Sequence, residues 1–553
     1  MTMLKRICIL GCVLWHLTAA ALSQPVMTRV LVTAADGRQI ADAPTTAFVE
    51  RDASGVVLRL DPGVTKQTID GIGSSFTESS AFVLAHLERT RRREVMRRIF
   101  AEDGANFTLT RMHIGSCDFS VEGKYSYADE WDDADLSSFS IAPDREGFDP
   151  ARYPGIRDSG YDLLPMILEA QDIKAGQADS ELRIIGSAWT APPWMKDTGE
   201  WFIPGSESNN WQGTGGWLKP EHHATYARYL IRFLDAYKAE GVDLWAITPV
   251  NEPNGNGGFW ESMHFSAESQ NDFVKRHLGP RLAESRHADT RLLIYDQNRD
   301  ELEHWARVML GDLETAPYVY GVAVHWYAST VDVFEEALAS VRSEFPGFAV
   351  VHTEGCIDNL GNPAPNGIRD PAGFQEENWF QNDEFWWTKT ATDWAYEAEW
   401  AGERAADHPK YVPVHRYARN IIVSLDHWMT GWVDWNVVLD ARGGPNHANN
   451  FCGAPIMIDT ATGDVYYTPI YHVLSQFSRT IRPGDVGVAA TLERDGLADD
   501  ALHACATKND RGQISVQLLN TTGTAIELDL EIAGAVAPVR VPANAVVTVQ
   551  LGI

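Results

Sequence analysis

Two glutamates close short apolar runs in this sequence. One lies in Thr248-Pro249-Val250-Asn251-Glu252-Pro253, the other in Val351-His352-Thr353-Glu354-Gly355. If both runs are strands of one closed sheet, their ends bring two carboxyl groups to face each other across its mouth. That is the pair glycoside hydrolysis requires. One carboxylic acid protonates the departing oxygen, while the other attacks the anomeric carbon or activates water. Each glutamate alone is a weak signal, because strand-end carboxylates are often structural; the pair, on two strands and beside Trp-rich strand ends, is a strong one. The 19 Trp residues supply flat faces suited to stacking on sugars. Trp189, Trp326 and Trp435 fall at strand ends, where barrel packing would explain them equally well.

The elements that would position the pair can be read from periodicity. Eight short apolar runs (71–77, 107–114, 182–189, 244–250, 291–296, 319–326, 348–353 and 431–437) alternate with helical patterns such as 79–100, 221–240, 266–288 and 331–345. Buried parallel strands read as near-continuous apolar runs, and eight strand–helix units predict a (β/α)₈ TIM barrel of the α/β class. Glu252 then ends strand four and Glu354 strand seven. Two long insertions, 115–160 after strand two and 357–408 after strand seven, fall on the active face. The second holds Glu376, Glu377, Trp379, Phe380, Trp386 and Trp387, whose aromatic content predicts an ordered wall or lid. Outside the barrel, 28–68 and 513–551 alternate apolar and polar with period two, which predicts an accessory β-sandwich built from both termini. The expected division is a signal segment over 1–23, N-terminal sandwich strands over 24–68, the barrel over 69–440 and the rest of the sandwich over 441–553.

Composition narrows the function classes. The 553 residues are 44% hydrophobic and 22% charged, a globular balance. The formal net charge of −30 argues against nucleic acid or an anionic membrane as the main partner, since either requires a basic face. Lys5 and Arg6, the apolar stretch 7–17 and Ala21-Leu22-Ser23 read as a secretory signal with Gln24 as the first mature residue, so export is expected. Ile9-Leu10-Gly11 before Cys12 leaves a lipoprotein signal as the alternative. No segment reaches membrane-span length. The four cysteines beyond that segment (Cys117, Cys356, Cys452 and Cys505) form no C-x-x-C pair and read as buried thiols, with one disulfide as the alternative. His113, His325, His352 and His447 lie near strand ends but match no ligand motif, so neither a metal nor another cofactor is expected.

The sequence resembles glycoside hydrolase family 30 of clan A, in its glucosylceramidase-like branch. The stretches that carry the likeness are Asp70 to Thr77, Ser116 to Ser120, Ala188 to Lys196, Val250 to Pro253, His325 to Tyr327, Thr353 to Cys356, Asp434 to Asn436, Gly443 to Asn446 and Asn450-Phe451, and Phe477 to Arg479. They span about residues 65 to 485. The resemblance implies a retaining β-glycosidase acting on β-glucosides, with Glu252 as acid/base and Glu354 as nucleophile. It further implies sugar contacts from Asp118, Trp189, Asn251, Trp435 and Asn450. Tyr327 would orient the nucleophile, with support from Arg111 and His325. A β-1,6-glucanase or β-xylosidase is the alternative within the family, and a carbohydrate-binding protein on a degenerate barrel the alternative outside it. The expected partner is a β-linked oligosaccharide or glycolipid; the oligomeric state stays open. Two departures stand out. Met112-His113 replaces the Val-Pro that several relatives carry after this arginine, and the insertion after strand seven is longer than in glucosylceramidase, on the aglycone side.

Overall fold

The computed structural model describes residues 25–204, 214–255, 258–357, 379–388, 411–448 and 451–552. The signal segment, Asn450, Glu376 and Glu377 lie outside them.

Eight parallel strands form the expected barrel: Gly71–Ser74, Leu109–Ile114, Arg183–Ala188, Ala246–Thr248, Arg291–Asn298, Gly321–His325, Ala349–Glu354 and Gly431–Asp434, counted below as strands one to eight. Neighbours in sequence are neighbours in the sheet, and strand eight returns to strand one with Gly431 beside Gly71 and Asp434 beside Ser74. Strands one and two close the seam through Thr108 N–H to the Ile72 carbonyl (3.1 Å) and Phe76 N–H to the Arg111 carbonyl (2.8 Å). The seam explains Gly73: a Cβ there would lie 1.9 Å from the Leu109 carbonyl oxygen, so any other residue would force the two strands apart. Leu109, Ile185, Ala246, Leu293, Ala323, Ala349, Val351 and Val433 pack into an apolar cluster that fills the barrel.

The surrounding helices start where capping chemistry allows. Thr77 accepts from Ser80 N–H ahead of Glu78–Ala85, and Ser266 and Ser269 form a reciprocal box at Ala267–Phe273. Among the described residues no helix is long and apolar enough to cross a membrane.

The second unit is a ten-stranded ladder folded over its own apolar core, and both termini contribute to it. Val26–Ala34 runs antiparallel to Ala545–Gly552, while Val56–Thr68 lies between Val486–Glu493 and Ile526–Ile532. The C-terminal share begins at Val486, not at residue 441 as the sequence suggested. Between them, Val438–Asp440, Ile456–Ile458 and Val465–Tyr467 make a small separate sheet, followed by the helix Pro469–Thr480. Their apolar side chains join the barrel's core, which is why this stretch belongs with the barrel. Gln476 of that helix ties the two units together: it accepts from Thr33 Oγ1 (2.6 Å) and donates to Thr548 Oγ1 (3.0 Å).

All four described cysteines are buried free thiols. The described part of the second insertion, residues 379–388, packs against the chain that follows strand eight. Trp379 and Trp386 stack with ring centres 6.1 Å apart, and Trp379 Nε1 donates to the Ala441 carbonyl (3.0 Å).

Candidate active site

Strand four is short, and the chain leaves it through a left-handed residue. Glu252 itself sits at φ +48°, with its N–H donating to the Asp296 carbonyl (2.9 Å), while Asn251 N–H donates to the Ala188 carbonyl (2.6 Å). A non-glycine residue in this conformation is strained, and the two flanking bonds to strands five and three hold it there. Glu354 is the last residue of strand seven, in register with His325 at the end of strand six. These turns bring the glutamates together: a carboxylate oxygen of each and a ring nitrogen of His325 all lie within 4.8 Å of one another.

The two carboxyl groups have different partners. Glu354 accepts from Arg111 Nη1 (2.6 Å) on one oxygen and from the Tyr327 hydroxyl (3.2 Å) on the other. Glu252 pairs with His325 Nδ1 (3.2 Å). Arg111, fully buried on strand two, also donates through Nη2 to Asn251 Oδ1 (2.6 Å), Asp296 Oδ2 (2.9 Å) and Ser187 Oγ (3.1 Å). Its bond to Asn251 fixes the amide with the oxygen inward and the NH₂ turned away.

Asp296 is the residue that sequence reasoning missed. Its carboxylate accepts from five donors: Arg111, His325 Nε2 (3.0 Å), Ser187 Oγ (2.5 Å), Thr248 Oγ1 (2.8 Å) and Thr353 Oγ1 (2.7 Å). Strand five aims it inward by a bulge. Tyr295 and Asp296 both have positive φ, and the register with strand six jumps from Tyr295 to Gln297. The available signal was an acid at the end of a barrel strand, the same signal that pointed to the two glutamates.

The charges interlock. Burial opposes the Asp296 charge, but Arg111 and His325 overcome it and hold the carboxyl well below the usual carboxylate range. Burial alone would lower the His325 imidazole, yet the Glu354 charge and the bonds to Asp296 and Glu252 push it up to about 9. Burial pushes Glu354 above the usual carboxylate range, and His325 and Arg111 offset this only in part. Glu252, His325 and Glu354 could present three atoms to a cation, but the Arg111 guanidinium already neutralises Glu354 at 2.6 Å and would repel one.

Trp189 and Trp435 stack on each other with ring centres 5.2 Å apart, beside the Arg111 guanidinium. Both are 2% exposed, so they form a packed floor and offer a ligand little open face. Trp326 is a packing residue, set against Tyr417, Trp432 and the Arg416 guanidinium. Asp118 lies buried on the loop after strand two, and its neighbour Phe119 meets Trp435 edge-on at 5.8 Å.

A closed eight-stranded barrel with two carboxyl groups facing each other at its strand ends is the architecture of a glycoside hydrolase. The chain belongs to glycosyl hydrolase family 30: the family's TIM-barrel domain matches residues 69–362 and 391–481, and its β-sandwich domain matches 487–549. Lysosomal acid glucosylceramidase of Mus musculus is 28% identical over 497 residues, covering 89% of this chain and 83% of the relative. Endo-1,6-beta-D-glucanase of Neurospora crassa is 26% identical over 495 residues, covering 88% and 86%. Among solved structures, SrfJ from Salmonella typhimurium superposes with a TM-score of 0.74 at 23% identity, over 94% of this chain and 98% of the other, a likeness of fold.

Proposed function

We propose that this family 30 hydrolase is an exported, retaining β-glycosidase that cleaves β-glucosides through a covalent glycosyl-enzyme. The observation that carries the reading is the close, unequal carboxyl pair. Retaining enzymes hold their carboxyl groups about 5–5.5 Å apart and inverting ones about 6.5–9.5 Å. Oxygens of the two carboxyls within 4.8 Å of each other suit the shorter, retaining spacing. Glu354, held between a guanidinium and a phenol that both donate to it, is oriented for attack on the anomeric carbon.

Charge balance supports the same roles. Arg111 and His325 supply two positive charges against the carboxyls of Asp296, Glu252 and Glu354. One carboxylic proton makes the cluster neutral, and the acid role calls for it on Glu252 in the first step. In the first step Glu354 attacks the anomeric carbon while Glu252 gives its proton to the glycosidic oxygen, which leaves as an alcohol. Glycosylation removes the charge of Glu354, and Glu252 is now a carboxylate, so the cluster is still neutral. In the second step Glu252 takes a proton from water, whose oxygen attacks the same carbon and frees Glu354. Asn251, its oxygen fixed by Arg111, turns its NH₂ toward the sugar 2-hydroxyl, a bond that strengthens as the oxocarbenium character develops.

The glucosylceramidase relatives favour a glucose glycone with a lipid aglycone, and the endo-1,6-glucanase relative keeps β-1,6-glucan in view. The test is a panel of aryl β-glycosides together with glucosylceramide in micelles and β-1,6-glucan. The aryl β-glucoside and glucosylceramide are expected to turn over. Cleavage of an aryl β-xyloside but not the glucoside would overturn the glycone, and cleavage of the glucan alone would overturn the aglycone. Export predicts that protein recovered outside the cytoplasm begins at Gln24 on N-terminal sequencing; a chain retaining Met1 would contradict it.

A further inference from the structure

We infer that His447 and Glu261 form a proton-bearing clasp that positions Asp118, and through it the sugar pocket, from outside the reacting centre. The inference rests on the proposed glycosidase reading only in taking Asp118 as a sugar ligand.

The two side chains come from different loops, Glu261 from the loop after strand four and His447 from the loop between Val438–Asp440 and Ile456–Ile458. His447 Nε2 lies 2.9 Å from Glu261 Oε2, and His447 Nδ1 lies 3.0 Å from the Ser120 carbonyl. Glu261, with no side-chain exposure, also accepts from Ser116 Oγ (2.8 Å) and from Lys124 N–H. Ser116 and Ser120 bracket Asp118, so the clasp grips both ends of the five-residue segment that carries it. Gly123 makes room for the ring: a Cβ there would lie 2.3 Å from His447. Neither side chain bonds to Glu252, His325 or Glu354.

The hydrogen-bond chemistry requires a proton. A neutral imidazole has one N–H, yet both of its partners are acceptors, a backbone carbonyl and a carboxylate. Both bonds form only if the pair carries one proton beyond neutral histidine and ionised glutamate. The other titratable groups facing the pair are Asp118 beside His447, with Cys117, Lys196 and His113 toward Glu261. Burial disfavours the imidazolium, but Glu261, the Ser120 carbonyl and Asp118 hold His447 above the ordinary imidazole range. The grip is therefore complete below the ordinary histidine value of about 6.5 and is lost as pH rises through the raised one.

The experiment compares the full-length protein with His447→Gln and Glu261→Gln, measuring KM and kcat for an aryl β-glucoside and the melting temperature from about pH 5.5 to about pH 9. At the acid end both variants should show KM raised about tenfold, equivalent to about 1.4 kcal/mol, with kcat within about threefold. The KM ratio and the gap in melting temperature should both close toward the alkaline end, where the parent releases its own clasp. A KM ratio that stays at one, or one that does not change with pH, would overturn the inference, as would a fall in kcat with KM unmoved. If the parent cleaved no β-glycoside, the functional reading would fall, while a melting-temperature gap independent of pH would still overturn the clasp.

Discussion

Glu354→Ala should lower kcat/KM for an aryl β-glucoside by at least about 10⁴-fold, because the proposed nucleophile is gone. Glu252→Ala should behave differently. Its loss should scale with the basicity of the leaving group, severe for alkyl glucosides and slight in the first step for dinitrophenyl glucosides, which depart without a proton. Azide separates the two roles further. In Glu354→Ala it enters from the side the nucleophile occupied and should yield the α-glucosyl azide. In Glu252→Ala it meets the glycosyl-enzyme and should yield the β-azide. Product anomers read by NMR decide the assignment, and swapped products would exchange the roles.

Asp296 carries the second large expectation. Asp296→Ala removes the acceptor that Arg111 and His325 share, leaving each buried cation with a single carboxylate partner, Glu354 and Glu252 respectively. Breaking such a network by deleting one partner costs about 3–5 kcal/mol. Loss of the set position of Arg111 and His325 should lower kcat by about 10²- to 10³-fold. Asp296→Asn should unfold less easily than the alanine variant, since its carbonyl still accepts from Arg111 while its NH₂ can donate to a neutral His325. Chemical denaturation and steady-state kinetics check both. The sign of the pH dependence follows from the depressed Asp296 carboxyl. Its stabilisation is complete above the unfolded value of about 3.9 and is lost as pH falls toward the folded one, so the stability gap between parent and alanine variant should narrow in acid. A kcat within threefold of the parent in Asp296→Ala would remove this residue from the account.

The barrel was legible because each of its strands is buried on both faces and so reads as an apolar run, and because Glu252 and Glu354 close two of those runs. Arg111, Tyr327 and His325, singled out from the sequence, meet the pair as expected. Asp296 closes the fifth run and so carried the same strand-end signal as the glutamates, but its inward aim depends on the bulge at Tyr295, which no spacing in the chain announces. Trp189 and Trp435, given as sugar contacts by the resemblance, are adjacent in space. Residue type alone could not show that their faces are largely spent on each other. The boundary at 441 shifted because Ile456–Ile458 and Val465–Tyr467 have the composition of sandwich strands but pair in a separate sheet. His447 drew notice only as a histidine near a strand end. Its partner Glu261 comes from another loop, a pairing that only the fold makes.

The central claim is that Glu354 attacks the sugar directly. Incubation with a 2-fluoro β-glucoside bearing a good leaving group, followed by proteolysis and peptide mass mapping, tests it most directly. The fluorine slows both steps by destabilising the oxocarbenium-like transition states, and the good leaving group restores the first, so a covalent intermediate should accumulate. The account predicts one fluoroglucosyl group per chain, attached to Glu354. A label on Glu252, or prompt hydrolysis with inverted product and no label at all, would contradict it.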